Sequence, residues 1–180
     1  MNPDDPPSSP IGSALCTDCG LCCLGALHDS AQLDPDEIET AKTIGLPVLP
    51  SERPLFSLPC PKLVNRKCSI YGQRPRVCAR YKCALLQQVE AGETTLAQAS
   101  QRVTTALSLY DAAMTAVRAD DGFATIRYQA RDDQPIDAAD PRAARLRLMA
   151  LDVYLDRHFR NDKDFKIYGL DDDEPVSVKV

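Results

Sequence analysis

The stretch Cys16-Thr17-Asp18-Cys19-Gly20-Leu21-Cys22-Cys23 carries half of the eight cysteines in the chain. Gaps of two residues allow successive thiolates to turn inward from one tight loop onto a common centre. Gly20 suits such a loop, because backbone that wraps a cluster often adopts angles that only glycine takes without strain. Adjacent Cys22 and Cys23 do not easily point the same way, so one of them binds a second metal, bridges, or lies nearby as a reactive thiol. The stretch predicts a thiolate metal centre around which this part of the fold forms.

The other four cysteines follow at wider intervals, and no cysteine occurs after residue 83. Their intervals differ from the paired knuckles of a zinc ribbon and suit a site whose ligands come from separate elements. Cys60 precedes Pro61, a dipeptide that also closes bacterial ferredoxin runs. We expect a cluster bound by Cys16, Cys19, Cys22 and Cys60. The full set of predicted metal ligands is Cys16, Cys19, Cys22, Cys23, Cys60, Cys68, Cys78 and Cys83.

The redox compartment decides how these cysteines are interpreted. The first ten residues contain no basic residue and no apolar run, which predicts that they are not a secretory signal. The expected location is therefore cytoplasmic, where thiols stay reduced. Cysteines in a reducing compartment indicate metal or redox chemistry rather than a disulfide framework. Burial of the cysteines as small hydrophobic residues is the alternative, and their clustering between residues 16 and 83 argues against it.

The charge pattern separates one segment from the rest of the chain. With 21 basic and 26 acidic residues the net charge is −5, so general nucleic-acid binding is not expected. No apolar stretch approaches the roughly 20 residues that span a bilayer, so no membrane association is expected. Between Cys60 and Cys83, however, all charged residues are cations: Lys62, Arg66, Lys67, Arg74, Arg76, Arg80 and Lys82.

Two interpretations of this basic segment, residues 62–82, are open. Cations near the cysteines would lower the thiol pKa values and stabilise the surplus charge of several thiolates around a metal. Alternatively, the segment forms a positive groove that binds an unidentified protein or an anionic partner such as RNA.

The predicted fold is mainly α, with a small irregular cysteine-rich metal-binding core packed against two or three long helices. Asp34-Pro35-Asp36-Glu37 marks a helix start with a capping Asp and a capping-box Glu, and Gly45 ends that helix. The proline-rich segment 46–61 is expected to be extended and irregular. Downstream, we predict a helix over 84–91, a helix over 96–117 capped by Thr94 or Thr95, a strand over 123–129 and a helix over 140–160.

The two long helices have predicted faces. The first shows an apolar stripe that indicates core packing, with a dimer seam as the alternative. Its members are Leu96, Ala99, Val103, Ala106, Tyr110, Ala113 and Val117. In the last helix the predicted apolar face is Leu146, Met149 and Val153, and the predicted polar line is Arg145, Asp152, Asp156 and Arg160.

The chain is predicted to form one domain over residues 13–180, after a disordered lead-in over residues 1–12. This domain contains a cysteine-cluster half over 13–83, a helical half over 84–170 and an acidic tail over 171–180.

Three stretches together resemble the CxxCxxCC family, whose members are described as zinc- or iron-chelating or iron–sulfur-cluster proteins. The family also includes the cysteine-cluster part of flagellin lysine N-methylases. The stretches are residues 16–23, Pro59-Cys60-Pro61-Lys62-Leu63, and Cys68-Ser69-Ile70-Tyr71-Gly72-Gln73-Arg74-Pro75-Arg76-Val77-Cys78-Ala79-Arg80-Tyr81-Lys82-Cys83.

The resemblance implies metal chelation by these cysteines, with the residues between Cys68 and Cys78 as a scaffold. One departure is Ala79, because the family commonly has Arg directly after that Cys, and we expect Arg80 to take its role. The methylases are much longer, so the resemblance does not imply their activity.

These observations predict a metal-binding protein that holds an iron–sulfur cluster, of the 4Fe–4S type, in a structural, sensing or electron-transfer role. Zinc is the alternative metal, because two sites of four thiolates would use all eight cysteines just as completely. A cluster-dependent enzyme of the methyl-transfer or redox type and a zinc-stabilised interaction module are the other functions left open. No catalytic residue is assigned.

Overall fold

The described part of the chain, residues 10–118 and 123–161 of a computed structural model, is mainly α-helical, as predicted. Its helices are α1 (Pro10–Cys19), α2 (Ile38–Thr43), α3 (Arg76–Arg80), α4 (Ala84–Glu90), α5 (Leu96–Ala116), α6 (Phe123–Arg131) and α7 (Pro141–His158). Its strands are β1 (Ser30–Gln32), β2 (Val48–Leu49), β3 (Leu55–Ser57), β4 (Leu63–Val64) and β5 (Lys67–Cys68). No described helix is both long enough and apolar enough to cross a membrane.

The large hydrophobic core lies between the long helices α5 and α7 and extends to α1, α4 and α6. Leu96 and Val117, at the two ends of the predicted α5 stripe, are not buried. The buried members of the stripe are Ala99, Val103, Ala106, Tyr110 and Ala113. Core packing therefore accounts for this stripe.

The N-terminus of α5 is fixed by a capping box at Thr95. The Thr95 hydroxyl accepts a hydrogen bond from the Gln98 N–H, and the Gln98 side chain accepts one from the Thr95 N–H. Since loss of such a cap typically costs about 1 kcal/mol, we expect Thr95→Ala to lower the free energy of unfolding by about that amount in urea denaturation. Thr104→Ala, at an exposed position in the same helix, is the control and should change it by less than about 0.5 kcal/mol. Equal losses would contradict the role of the cap.

The strand predicted over 123–129 is wrong, because these residues lie in helix α6. Phe123, Ile126, Arg127 and Ala130 are buried, and their spacing of three and four residues is that of one helix face. Over so short a segment the apolar residues fit both periods, and the helix places this face on the large core.

The prediction of which face of α7 is buried is also wrong. Leu146 is 58% exposed and Met149 is 44% exposed. Asp152 and Asp156, predicted to lie in a polar line opposite the apolar face, are buried and both form ion pairs with Arg160. The residues that α7 buries are Ala144, Leu148, Leu151, Asp152, Leu155 and Asp156.

The cysteine-containing half consists of short elements around a small second core. Strands β1, β3 and β2 form an antiparallel sheet in that order, and β4 and β5 form a hairpin. The two turn residues of the hairpin, Asn65 and Arg66, both have positive φ, as two-residue hairpin turns commonly require. The second core contains the buried residues Leu33, Ala41, Leu46 and Phe56.

The helix predicted after Asp34 is present as a 3-10 turn over Pro35–Glu37 followed by α2, and Gly45 follows its end with φ 77°. The predicted capping contacts are absent from this helix start. Asp34 and Glu37 instead accept hydrogen bonds from Arg76, which joins this segment to α3. The segment 46–61, expected to be irregular, contains β2 and β3.

The two predicted terminal segments lie largely outside the described residues. Of the lead-in, residues 10–12 belong to α1, and residues 1–9 are not described. The acidic tail over 171–180 falls wholly outside.

Candidate metal centre

One cavity, with a volume of about 240 Å³, brings together the cysteines of both sequence groups. All eight are free thiols, and all eight line this cavity: Cys16, Cys19, Cys22, Cys23, Cys60, Cys68, Cys78 and Cys83. Residues more than 60 positions apart in sequence, such as Cys16 and Cys83, therefore face a common space.

The first group of cysteines lies at the end of α1 and in the turn that follows. Cys16 and Cys19 are three residues apart in α1 and so lie on the same face of the helix. The chain then reverses at Gly20, which has φ 66°, and Leu24 N–H donates a hydrogen bond to the Gly20 carbonyl at 2.9 Å. This turn carries Cys22 and Cys23 back along the cavity.

Gly20 is required by this turn on two counts, its positive φ and its close neighbour. A Cβ at position 20 would lie 2.9 Å from the carbonyl oxygen of Arg66, in the hairpin turn between β4 and β5. We expect Gly20→Ala to lower the free energy of unfolding of the metal-loaded protein by about 1–3 kcal/mol in urea denaturation. Gly72→Ala is the matched control, because a Cβ there meets no atom within 4 Å. Equal effects of the two substitutions would show that the turn does not need glycine.

The second group begins where the chain returns to the first. Cys60 N–H donates a hydrogen bond to the Cys23 carbonyl at 2.7 Å. Leu63 N–H donates to the Cys60 carbonyl at 3.0 Å, and Leu63 pairs with Cys68 across the β4–β5 hairpin. A backbone hydrogen bond therefore connects Cys23 to Cys60, and Leu63 connects Cys60 to Cys68.

The last two cysteines lie on short helices. Cys78 is in α3, which Arg76 attaches to the 3-10 turn by hydrogen bonds to Asp34 and Asp36. Cys83 occupies the N-cap position of α4, where the backbone N–H of Leu86 partly opposes the rise that burial causes in its pKa.

Burial decides the protonation of the thiols. It raises the pKa of Cys19, Cys23 and Cys78 to about 12 and that of Cys83 to about 11, and it also raises the pKa of Cys22 well above its ordinary value. Charging one thiol is made harder by its neighbours, because like charges in one cavity repel. Among neighbouring thiols, Cys83 has the largest effect on Cys19 and Cys22, and Cys60 has the largest effect on Cys23.

The predicted lowering of thiol pKa values by cations is present but smaller than the effect of burial. Arg74 acts in this direction on Cys16, Cys23 and Cys78, and Lys62 acts on Cys60. Arg74 lines the cavity and stacks on the Tyr71 ring at 3.7 Å.

The other five cations of the basic segment form ion pairs with acidic residues outside it. The pairs are Arg66–Asp111, Lys67–Asp18, Arg76–Asp34, Arg80–Asp34 and Lys82–Glu90. Much of the positive charge of residues 62–82 is therefore balanced within the protein, and an anionic partner at this segment stays a prediction.

A buried charge network supports the cavity from the helical half. Arg127 and Arg160 both donate hydrogen bonds to the Ala26 carbonyl, at 3.0 and 2.9 Å, three residues after Cys23. Arg160 also pairs with Asp152 at 2.9 Å and with Asp156, and all three side chains are at most 1% exposed. Burial raises the pKa of Asp152, and the Arg160 and Arg127 guanidinium groups act against this shift.

The end of α7 also reaches the neighbours of Cys83. Ala84 N–H donates a hydrogen bond to the Phe159 carbonyl at 2.9 Å, and the Asn161 amide donates to the Lys82 carbonyl at 3.2 Å. One helix end therefore contacts the backbone beside Cys83 and, through Arg160, the backbone after Cys23. This role of Arg160 was not predicted from the sequence, where its one signal is the spacing of Asp152, Asp156 and Arg160 by four residues.

The donor set fits a thiophilic metal or cluster. Thiolates select zinc and iron–sulfur clusters, and backbone N–H donors that stabilise thiolate charge reach Cys19, Cys60 and Cys83. Among the described residues, no three His, Cys, Asp or Glu side chains already stand in a metal-binding arrangement. The fit therefore rests on the shared cavity and its thiol chemistry rather than on a finished coordination sphere.

His28, five residues after Cys23, also lines the cavity, and its ring packs edge-on against Tyr81 with the ring centres 4.5 Å apart. The predicted cluster on Cys16, Cys19, Cys22 and Cys60 stays a prediction, since the cavity contains all four thiols together with the other four.

Comparison with known proteins identifies a family whose members share the cysteine-containing part of the chain. Residues 15–102 match the family model CxxCxxCC, described as "Putative zinc- or iron-chelating domain". The matched segment contains all eight cysteines, which confirms the resemblance seen in the sequence and supports metal binding in general, by either zinc or iron. No curated protein and no solved structure matches the chain.

Proposed function

We propose that this protein, whose residues 15–102 match the CxxCxxCC family model, binds an iron–sulfur cluster through cysteine thiolates drawn from residues 16–23 and 60–83. Its role is structural, sensing or electron transfer. The observation that carries the proposal is the single cavity lined by all eight free thiols.

The thiol chemistry supports a resident metal rather than a set of reactive cysteines. In the cavity, burial raises the pKa of most of these thiols, so without a metal they hold their protons at neutral pH. A reactive cysteine needs a lowered pKa and access to solvent. A bound cation supplies the positive charge that buried thiolates lack, and binding therefore displaces protons.

The gap pattern of the first group favours iron–sulfur over zinc. Cys16, Cys19 and Cys22 have the two consecutive two-residue gaps of a cluster-binding loop. Eight thiolates suffice to close one or two centres completely, and closed centres serve structure or electron transfer. Such a protein needs a reducing compartment, so a cytoplasmic location forms part of the proposal.

Zinc is the second candidate, favoured by the number of thiols in the cavity. Four thiolates complete a structural zinc site, so the eight thiols of the cavity could form two such sites with no cysteine left over.

Metal analysis of anaerobically purified protein tests the proposal. We expect brown protein that contains iron and acid-labile sulfide, from cells grown with both iron and zinc supplied. Colourless protein that contains zinc alone would contradict the iron–sulfur assignment and leave thiolate metal binding intact. Protein that contains neither metal, and takes up neither after reduction, would contradict both.

A further inference from the structure

We propose that the cavity contains two separate four-thiolate sites rather than one centre with spare cysteines. The first site consists of Cys16, Cys19, Cys22 and Cys83, and the second of Cys23, Cys60, Cys68 and Cys78. This inference rests on the proposed metal binding and assigns every thiol to one of two centres.

The first site is built on the large core. Cys19, Cys22 and Cys83 all pack against that core, and Cys16 lies one turn before Cys19 on the same helix face. Helices α1 and α4 contact each other, which places the N-cap residue Cys83 beside the end of α1.

The second site is built on the small core and the hairpin. Cys60 packs against the small core, and its N–H bonds to the Cys23 carbonyl. The β4–β5 hairpin then places Cys68 opposite Leu63, whose N–H bonds to the Cys60 carbonyl. Helix α3, held to the 3-10 turn by Arg76, adds Cys78.

The boundary between the sites falls between two adjacent residues, Cys22 and Cys23. Cys22 packs on the large core, whereas the carbonyl of Cys23 accepts the hydrogen bond from Cys60. Cys22 is therefore tied to the large core through its side chain, and Cys23 is tied to the segment of Cys60 through its backbone.

This division changes one ligand of the cluster predicted from sequence. Cys83 takes the place of Cys60 beside Cys16, Cys19 and Cys22. Each site then joins the segment 16–23 to the segment 60–83, so that each centre alone connects the two distant parts of the chain.

Cobalt loading of the unmodified full-length protein tests the division. One equivalent of Co²⁺ is added to the reduced apoprotein under nitrogen, and the thiols that remain free are then alkylated. Chains that carry four alkyl labels are selected by intact mass. Peptide mass spectrometry then identifies which cysteines in these chains carry the label. We expect the four protected cysteines of any one chain to be either the complete first set or the complete second set. At saturation we expect two Co²⁺ per chain and no alkylation.

Mixed protection, such as Cys60 together with Cys16, Cys19 and Cys22, would overturn the division, and so would protection of all eight thiols by a single Co²⁺. Either result would leave thiolate metal binding intact. Failure to bind Co²⁺, iron or zinc at all would overturn the proposed function as well.

Two matched variants provide an independent readout. Cys83→Ser is expected to reduce Co²⁺ from two per chain to one and to expose Cys16, Cys19 and Cys22 to alkylation. Cys78→Ser should also halve the Co²⁺ content but expose Cys23, Cys60 and Cys68. If both variants expose the same thiols, the two-site assignment is wrong.

Discussion

Removal of the metal is expected to unfold the segment from β1 to α3 while α5 and α7 remain helical. The small core has only four buried apolar residues among the described ones, and the strands around it are two or three residues long. Cores of this size do not stabilise a fold alone, so metals commonly provide the missing free energy. Structural zinc contributes about 10–16 kcal/mol of apparent binding free energy in small domains at neutral pH.

Hydrogen exchange followed by mass spectrometry tests this expectation at the level of peptides. Protein treated anaerobically with a strong chelator should lose protection over residues 30–80 and keep it over residues 99–113. The same sample reloaded with metal is the control and should regain its protection. Unchanged exchange over residues 30–80 after complete metal removal would show that the short elements fold without metal.

Arg160→Met is expected to lower the free energy of unfolding by about 3–5 kcal/mol, the usual cost of breaking one partner out of a buried ion pair. The substitution removes the guanidinium that pairs with the buried Asp152 and Asp156 carboxylates, and it takes one donor from the Ala26 carbonyl. Since that carbonyl lies in the segment after Cys23, we also expect metal to be lost at a lower chelator concentration.

The matched control is Arg157→Met, which removes an exposed cation from the same helix end. Denaturant unfolding should show a change of less than about 0.5 kcal/mol for this variant. A similar small change for Arg160→Met would contradict the view that the buried network supports the cavity.

The thiolate chemistry of the site could be predicted from the sequence because the spacing of the cysteines is itself typical of a metal-binding site. The Cys16 to Cys23 gaps indicated a thiolate loop, and the structure places all eight cysteines on one cavity. The grouping of the thiols could not be predicted, because it depends on which core each element packs against. Cys83 is close to α1 only through the packing of α4, and no local pattern encodes that contact.

The same distinction applies to the fold. Helix ends that depend on neighbouring residues could be predicted. Thr94 or Thr95 was predicted to cap the start of α5 and Gly45 to end α2, and both predictions were confirmed. The predicted apolar face of α7 was wrong because Asp152 and Asp156 are buried. The sequence alone does not distinguish a charged residue that is paired in the interior from one that is exposed to solvent. Asp34 likewise does not cap the helix as predicted, because its carboxylate accepts a hydrogen bond from Arg76, 42 residues further along the chain.

X-ray absorption at the metal edge of anaerobically purified protein tests the central claim most directly, since it reports the atoms bound to the metal. The account predicts a first shell made of sulfur alone, at about 2.3 Å. A shell of nitrogen or oxygen at about 2.0–2.2 Å would contradict it, because the ligands would then not be these cysteines.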